Sequence, residues 1–168
     1  VGVPAGPEIA ILSKGKVIQK KNIKGEIIIR GDNVFSGYLN NPKANSESFI
    51  EGWFRTGDEG KIDDNGYLTI VGRLKEIINR AGEKIMPKEI DEIFLSHPAV
   101  EQAVAFSVPH KTLGEEVGLA VVLKDNELIE EKKLQAFCVK KLAKFKIPTK
   151  IIFLKEIPKG STGKLQRI

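Results

Sequence analysis

The sequence has a single cysteine, no long apolar run and no secretory leader, and each shortage excludes a class of protein. Cys138 alone cannot form an internal disulfide framework, and no cluster of cysteine and histidine offers a zinc site. No apolar run approaches the roughly 20 residues needed to span a bilayer, and no signal peptide is visible. Membrane, secreted and collagen-like classes are therefore excluded, and a cytoplasmic protein is predicted.

The length and the first residues suggest how the chain is organised. Its 168 residues suit one domain or two small ones, and 41% hydrophobic with 29% charged residues is an ordinary globular composition. The chain opens at Val1 with a sequence typical of the middle of a domain, so we expect a fragment of a longer protein. The sequence pattern changes between Gly72 and Lys75, where we place a domain boundary.

Positive charge is concentrated near the end of the chain. The net charge is +5, and the stretch from Lys132 to Lys164 holds ten lysines and one acidic residue, Glu156. Such a field favours polyanions such as a nucleotide, coenzyme A (CoA) or a nucleic acid. A solvated surface with one charged helix face is the alternative, and composition alone does not decide between them.

The first seventy residues have the pattern of strands joined by turns. Short β-rich runs predict strands at Glu8–Leu12 and Gly25–Arg30. Asn65-Gly66, between two further short runs, predicts a tight hairpin because this pair can supply two positive φ angles. The stretch from Gly31 to Gly60 has no clean period, so we expect it to lack regular structure and to carry function.

Helices and strands alternate after Gly72. Pro87 favours a first helical turn, and His97-Pro98 ends that helix. The later predicted elements are a strand at Ala99–Val108, a central strand at Val117–Leu123, a helix around Leu134–Leu142 and a strand at Lys150–Leu154. We predict an α+β fold, with a β-rich subdomain over residues 1–72 and a small α+β domain over residues 73–168. In the second domain a short mixed sheet is flanked by helices.

Two motifs are ambiguous when taken alone. The segment from Gly160 to Lys164 is not a Walker P-loop, because Pro158 and Leu165 stand where that motif needs a glycine and a hydroxyl. What remains is a glycine-flexed loop that presents a lysine. Asp58 follows a turn glycine, where a carboxylate can accept hydrogen bonds from a vicinal diol or can form an Asx-turn or a helix cap.

Several motifs become specific when their order and spacing are considered together. They are Gly25-Glu26-Ile27, Gly37-Tyr38-Leu39 with Pro42, Phe54-Arg55-Thr56-Gly57-Asp58, Gly72-Arg73 with Lys75, Asn79 with Gly82-Glu83-Lys84-Ile85, and Pro158 with Gly163-Lys164. This arrangement resembles the C-terminal third of an AMP-forming acyl-CoA synthetase of the adenylate-forming superfamily. The stretches at residues 37–45, 78–80 and 145–150 resemble oxalate–CoA ligase-like members in particular.

The resemblance implies an acid–thiol ligase that joins a carboxylate to ATP as an acyl-adenylate and then transfers the acyl group to CoA. It implies that Lys164 is catalytic and offsets the repulsion between the carboxylate and the α-phosphate. It also implies that Asp58 holds the ribose hydroxyls of the nucleotide and that Arg73 assists at the same sugar.

Further residues and the domain roles follow from the same resemblance. Lys75 lies at the hinge position, Gly82 leaves room for the pantetheine of CoA, and Lys84 contacts phosphate or substrate. Residues 1–72 would end the large N-terminal adenylation domain, and residues 73–168 would form the mobile C-terminal lid domain. Asp91 stands where glutamate is more usual, a departure that we expect to matter little.

The implied cofactors are ATP/AMP, CoA and Mg²⁺, with the Mg²⁺ ligands in the missing upstream region. The implied partners are the missing N-terminal domain, a carboxylate, ATP and CoA, with no nucleic acid, so that the isolated chain is expected to be inactive. Two alternatives stay open: an adenylation module that loads a carrier-protein pantetheine, and a basic nucleic-acid-binding domain. The terminal Gln-Arg-Ile is not a peroxisomal tripeptide, although truncation would leave that compartment open.

Overall fold

The computed structural model describes residues 1–161 and 163–167; Thr162 and Ile168 lie outside this range. The chain divides into two compact units, Val1–Lys75 and Glu76–Ile168. The domain boundary predicted after residue 72 stays a prediction.

The first unit is built around one antiparallel sheet. Its elements are β1 (Glu8–Ser13), β2 (Lys16–Ile18), β3 (Gly25–Arg30), α1 (Pro42–Ser48), β4 (Phe49–Ile50), β5 (Trp53–Ile62) and β6 (Leu68–Arg73). The strand order is β2-β1-β3-β5-β4, with β6 paired to β5. The predicted hairpin between β5 and β6 is present, but its turn runs from Asp63 to Tyr67, and of the Asn65-Gly66 pair only Gly66 has a positive φ, +84°.

The isoleucine run of β3 supplies both faces of this sheet, because successive side chains in a strand point to opposite sides. Ile28 packs with Ala10 and Trp53 on one face. Ile27 belongs to a separate apolar cluster with Ile11 and Leu68. The predicted strands around these residues are confirmed as β1 and β3.

The prediction that Gly31–Gly60 lacks regular structure is wrong. Helix α1 begins where Asn41 Oδ1 accepts the amide of Ala44 at 3.1 Å and where Pro42 occupies the first turn. Strand β5 forms because it pairs with β3, β4 and β6, and this long-range pairing overrides the weak strand pattern of its charged and glycine-rich sequence.

The second unit is a mixed sheet with helices on one face. Its elements are β7 (Ile78–Arg80), β8 (Glu83–Ile85), α2 (Pro87–Leu95), β9 (Val100–His110), β10 (Gly114–Leu123), α3 (Glu131–Val139) and β11 (Lys150–Phe153). Strand β10 is central, since it pairs antiparallel with β9 and β7 and parallel with β11. Short 3₁₀ turns at Leu74–Glu76 and Lys144–Lys146 complete the described elements.

Helices α2 and α3 cover one face of this second sheet. Phe94 of α2 and Leu134 of α3 are fully buried there. They belong to one apolar cluster with Val117 and Leu119 of β10. On the other face Ile157, just after β11, is 1% exposed and packs in a smaller cluster with β9 and β10 side chains. The predicted α+β class with a mixed, helix-flanked sheet is confirmed.

No helix in the described part of the chain is long and apolar enough to cross a membrane.

Candidate functional site

A bulge in β5 shapes the segment that carries Asp58. Glu26 of β3 lies opposite Glu59, and Ile28 lies opposite Arg55, so that residues 56–58 of β5 oppose Ile27 alone. The backbone at the centre of this bulge adopts φ +74° at Gly57, a region that glycine occupies without strain. Bulges of this kind redirect side chains, and they occur preferentially beside active sites.

A buried carboxylate holds the bulge in place. Glu26, 7% exposed, accepts the guanidinium of Arg55 at 2.8 and 3.0 Å and the amide of Gly57 at 3.1 Å. The Thr56 hydroxyl donates to the carbonyl of Ile27 at 2.7 Å. The Gly57 amide and the Ile27 carbonyl thus find side-chain partners at the bulge, and buried backbone groups need such partners.

Glu26 lies in the Gly25-Glu26-Ile27 motif, from which no role for its own carboxylate was predicted. The available signal was an acidic residue at the start of an isoleucine-rich strand, because a carboxylate at a core position needs a paired donor.

The structure brings Asp58 and Arg73 together. They are directly opposed across β5 and β6, and the Arg73 Nε lies 3.1 Å from the Asp58 carboxylate. The Asx-turn and helix-cap alternatives do not apply, because Asp58 lies inside a strand and faces Arg73. The Asp58 side chain is 25% exposed and that of Arg73 59% exposed, so both remain accessible to a ligand. A carboxylate beside a guanidinium can accept hydrogen bonds from a diol while the cation limits its repulsion of nearby phosphate.

Lys75 ends the first unit and lies in the 3₁₀ turn Leu74–Glu76. Its side chain is exposed and lines a cavity of about 260 Å³ with Glu26 and Arg55, together with residues of α1. Lys75 therefore borders the same ion pair that holds the Asp58 bulge.

Lys164 is exposed on a closed loop at the end of the chain. In this lysine loop (residues 158–166, with Thr162 outside the described range), the Gln166 amide donates to Pro158 O and the Gly160 amide to Lys164 O, both at 2.8 Å. Among the described residues no carboxylate lies within salt-bridge distance of the Lys164 amine. These bonds close the described ends of the loop, and the Lys164 side chain is exposed.

Gly82 and Lys84 lie on a separate hairpin made by β7 and β8. Ala81 and Gly82 occupy its two-residue turn with φ +51° and +88°, a geometry typical of tight hairpins. A Cβ atom at position 82 would meet nothing within 4 Å, so the turn conformation rather than crowding accounts for glycine here. Lys84 is exposed, and no hydrogen bond in the described residues joins this hairpin to the lysine loop.

The hairpin is tied to the central strand by acidic side chains. Arg80 Nε donates to Glu116 at 2.6 Å, and Glu115 accepts the amide of Asn79 at 2.5 Å. Burial acts to raise the pKa of the Glu116 carboxyl, but the bonds from Arg80 and from the Val117 amide outweigh it and lower that pKa. Glu116 therefore stays ionised and holds the base of the hairpin.

We expected little consequence from aspartate at position 91, but Asp91 makes several contacts. It is 8% exposed, accepts the Ala105 amide at 2.6 Å and pairs with Arg167 at 2.7 Å. Burial raises the pKa of the Asp91 carboxyl, and the hydrogen bonds from Arg167 and Ala105 act against that rise. Arg167, which sequence analysis did not consider, is the missed partner.

Some lysines of the lysine-rich stretch have partners within the second unit. Lys146 pairs with Glu89 at 2.6 Å, and the Lys141 ammonium lies 3.7 Å from the centre of the Phe137 ring. No group of three potential metal-ligating side chains occurs among the described residues.

Comparison with known proteins gives a family match inside the second unit. The family model described as the AMP-binding enzyme C-terminal domain matches residues 89–164. The oxalate–CoA ligase of Arabidopsis thaliana is 50% identical over 167 residues, which is 99% of this chain and 32% of the relative. The oxalate–CoA ligase of Saccharomyces cerevisiae is also 50% identical, over 99% of this chain and 31% of the relative.

A solved structure shows the same architecture. The o-succinylbenzoate CoA synthetase MenE from Bacillus subtilis, in complex with the acyl-adenylate intermediate OSB-AMP, matches with a TM-score of 0.88 and 36% identity. That match covers 96% of this chain and 33% of the other. The chain thus spans about a third of the length of the relatives that it matches. These similarities confirm the resemblance drawn from the motifs, including the one to oxalate–CoA ligases.

Replacing Glu26 tests whether this carboxylate holds the bulge. Glu26→Ala leaves the Arg55 guanidinium and the Gly57 amide without their acceptor, so we expect the free energy of unfolding of the first unit to fall by about 2–3 kcal/mol. Urea unfolding followed by the fluorescence of Trp53, the single tryptophan, measures this loss. Glu8→Ala is the control, since its ion pair with Arg30 is exposed and we expect a clearly smaller loss than for Glu26→Ala. Equal losses in the two variants would contradict the assignment.

Proposed function

We propose that the chain is the C-terminal part of an AMP-forming acyl-CoA synthetase, and the match of residues 89–164 to the AMP-binding enzyme C-terminal domain model supports this. The complete enzyme would activate a carboxylate with ATP to an acyl-adenylate and transfer the acyl group to CoA. The observation that carries the proposal is the exposed ammonium group of Lys164, presented by a closed loop at the end of the matched region.

Lys164 would act in the first half-reaction. A carboxylate oxygen attacks the α-phosphorus of ATP, a bond forms between them, and pyrophosphate leaves. Both reactants are anions, so their approach is opposed by electrostatic repulsion unless a cation lies between them. An ammonium group placed there stabilises the developing charge, and one such preorganised donor contributes about 2.7–4 kcal/mol to lowering the barrier.

Asp58 and Arg73 would bind the nucleotide. The Asp58 carboxylate is oriented by the bulge and by the 3.1 Å ion pair with Arg73, and it retains acceptor capacity for the two ribose hydroxyls. Arg73, more exposed, would contact the same sugar or the adjacent phosphate. This arrangement supports a ribose-binding role for the pair.

The remaining candidate residues would act when the C-terminal domain rotates between adenylate formation and thioester formation. We place the pivot at Lys75, since a hinge needs a few residues at element ends that absorb backbone rotation, and Lys75 ends the first unit. The β7–β8 hairpin would then approach CoA, with Gly82 beside the pantetheine and Lys84 near phosphate or substrate. The named relatives are CoA ligases, which favours free CoA over a carrier-protein pantetheine as acceptor.

The rest of the enzyme would supply what this chain does not offer. We place the acyl pocket, the pyrophosphate-binding loop and the Mg²⁺ ligands in the preceding N-terminal domain, which would be the principal partner of this chain. Bound Mg²⁺ would neutralise phosphate charge on ATP. A cytoplasmic location stays a prediction.

Substitution of Lys164 in the complete ligase tests its role. Lys164→Ala should lower the rate of adenylate formation about 100- to 1000-fold, because one preorganised donor is lost. Carboxylate-dependent ATP–pyrophosphate exchange measures this step. The rate of thioester formation from supplied acyl-adenylate and CoA should stay within about twofold. In the acyl-adenylate the carboxylate and the α-phosphate are already bonded, so their repulsion no longer opposes the reaction. An equal loss of both half-reactions would count against alternation between two arrangements.

Substitution of Asp58 tests the nucleotide site. Asp58→Ala in the complete ligase should weaken AMP binding about 10- to 100-fold, as expected when charged hydrogen bonds to both ribose hydroxyls are removed. Isothermal titration calorimetry measures the affinity, and Asp64→Ala in the nearby turn serves as the exposed-carboxylate control. AMP affinity unchanged by Asp58→Ala would rule out the ribose contact.

The activity of the 168-residue chain by itself is a third test. We expect no carboxylate-dependent ATP–pyrophosphate exchange, since catalysis requires both reactants to be held in place and the acyl pocket belongs to the preceding domain. Exchange by the purified chain that is lost in its Lys164→Ala variant would show that the preceding domain is not required for adenylate formation.

A further inference from the structure

The guanidinium of Arg167 has three partners in the second unit. Its Nη2 donates to Asp91 Oδ2 at 2.7 Å, its Nη1 donates to the carbonyl of Ala105 at 2.9 Å, and its Nε donates to the carboxylate of Glu76. The other oxygen of Asp91 accepts the amide of Ala105 at 2.6 Å. Arg167 is thus fixed to α2, to the central part of β9 and to the first residue of the unit.

Two anchors flank the lysine loop. Before the loop, Ile157 is 1% exposed and packs against the face of the sheet opposite the helices. After it, Arg167 is held by the contacts just described. Arg167 is three positions after Lys164 in the chain, and three residue steps span at most about 10 Å. The position of the Lys164 backbone is therefore restricted by the Arg167 contacts.

The loop itself needs such an anchor. The loop contains Gly160 and Gly163, and Gly163 has φ +76°. Glycine loses more conformational freedom than other residues when a loop becomes ordered. The bond between Gln166 N and Pro158 O closes the loop at its base but does not connect it to the sheet. Arg167 makes that connection on the C-terminal side.

We propose that Arg167 is a positioning residue for Lys164, clamped by Asp91 and Glu76 so that the lysine loop is presented in one orientation. This proposal rests on the proposed function of Lys164 in adenylate formation. Arg167 itself touches no reactant. Its contribution is to limit the freedom of the lysine before the reactants bind, and a displacement of about 1 Å in a reacting group can cost about 100-fold in rate.

The test uses the complete ligase and separates its half-reactions. Arg167→Ala should lower kcat for ATP–pyrophosphate exchange about 10- to 100-fold, with a smaller change in the KM for ATP. Thioester formation from supplied acyl-adenylate and CoA should stay within about twofold, because that step does not use Lys164. Arg167→Lys, which keeps one contact to Asp91, should retain an intermediate rate.

A matched control separates positioning from general stability. Lys146 has the same side-chain exposure as Arg167, 21%, and pairs with Glu89 on the same helix that carries Asp91. Lys146→Ala should leave exchange within about twofold, since its recorded contacts are with Glu89 and Phe145 and not with residues of the lysine loop. If Arg167→Ala does not fold, Asp91→Asn tests the same clamp with nearly unchanged shape, and exchange should fall in the same direction.

A double substitution gives the decisive result. In the Lys164→Ala background, Arg167→Ala should cause no further loss of exchange, because the arginine acts through the missing amine. A further loss of the full size, or an equal fall in both half-reactions, would overturn the positioning role. Arg167→Ala with wild-type exchange would also overturn it while leaving the role of Lys164 intact. If Lys164→Ala itself keeps normal exchange, the proposed function fails together with the clamp.

Discussion

In each unit, a buried carboxylate paired with an arginine fixes the backbone that presents a candidate functional side chain. Glu26 with Arg55 holds the bulge that carries Asp58, and Asp91 with Arg167 lies just beyond the loop that carries Lys164. A carboxylate buried in this way is costly unless its oxygens are fully bonded, and both carboxylates also accept a backbone amide. Each pair therefore orders local backbone as well as neutralising charge, and the proposed chemistry depends on that order.

Much of the fold could be predicted from local signals in the sequence. The isoleucine run of β3, the Asn65-Gly66 turn, the Pro87 helix start and the apolar run of β10 each depend on residues close together in the chain, and each predicted element is present. The motif order identified the family because functional residues must keep fixed spacing. The position of Asp58 beside Arg73 was implied by that resemblance alone, and their direct pairing follows from the hairpin register that joins β5 to β6.

The remainder depends on contacts between residues distant in sequence, which no local pattern reports. Strand β5 has a poor strand sequence and forms through pairing with β3. The role of Glu26 follows from a bulge that only this register creates. The Arg167 clamp joins residues separated by 76 and 91 positions. Asp91 was treated as a neutral departure because its burial against Ala105 cannot be read from an amphipathic helix pattern. Long-range pairing thus determined the structural details on which the proposed site depends.

In the proposed reaction, the amine of Lys164 enters the site where the carboxylate and ATP meet. Competitive acetylation of the complete ligase, read by mass spectrometry, measures the reactivity of this amine directly, with exposed Lys88 of α2 as internal reference. We expect Lys164 to become protected from acetylation when ATP and the carboxylate substrate are both bound, while Lys88 stays reactive. A Lys164 that is acetylated at the same rate with and without the two reactants would contradict it.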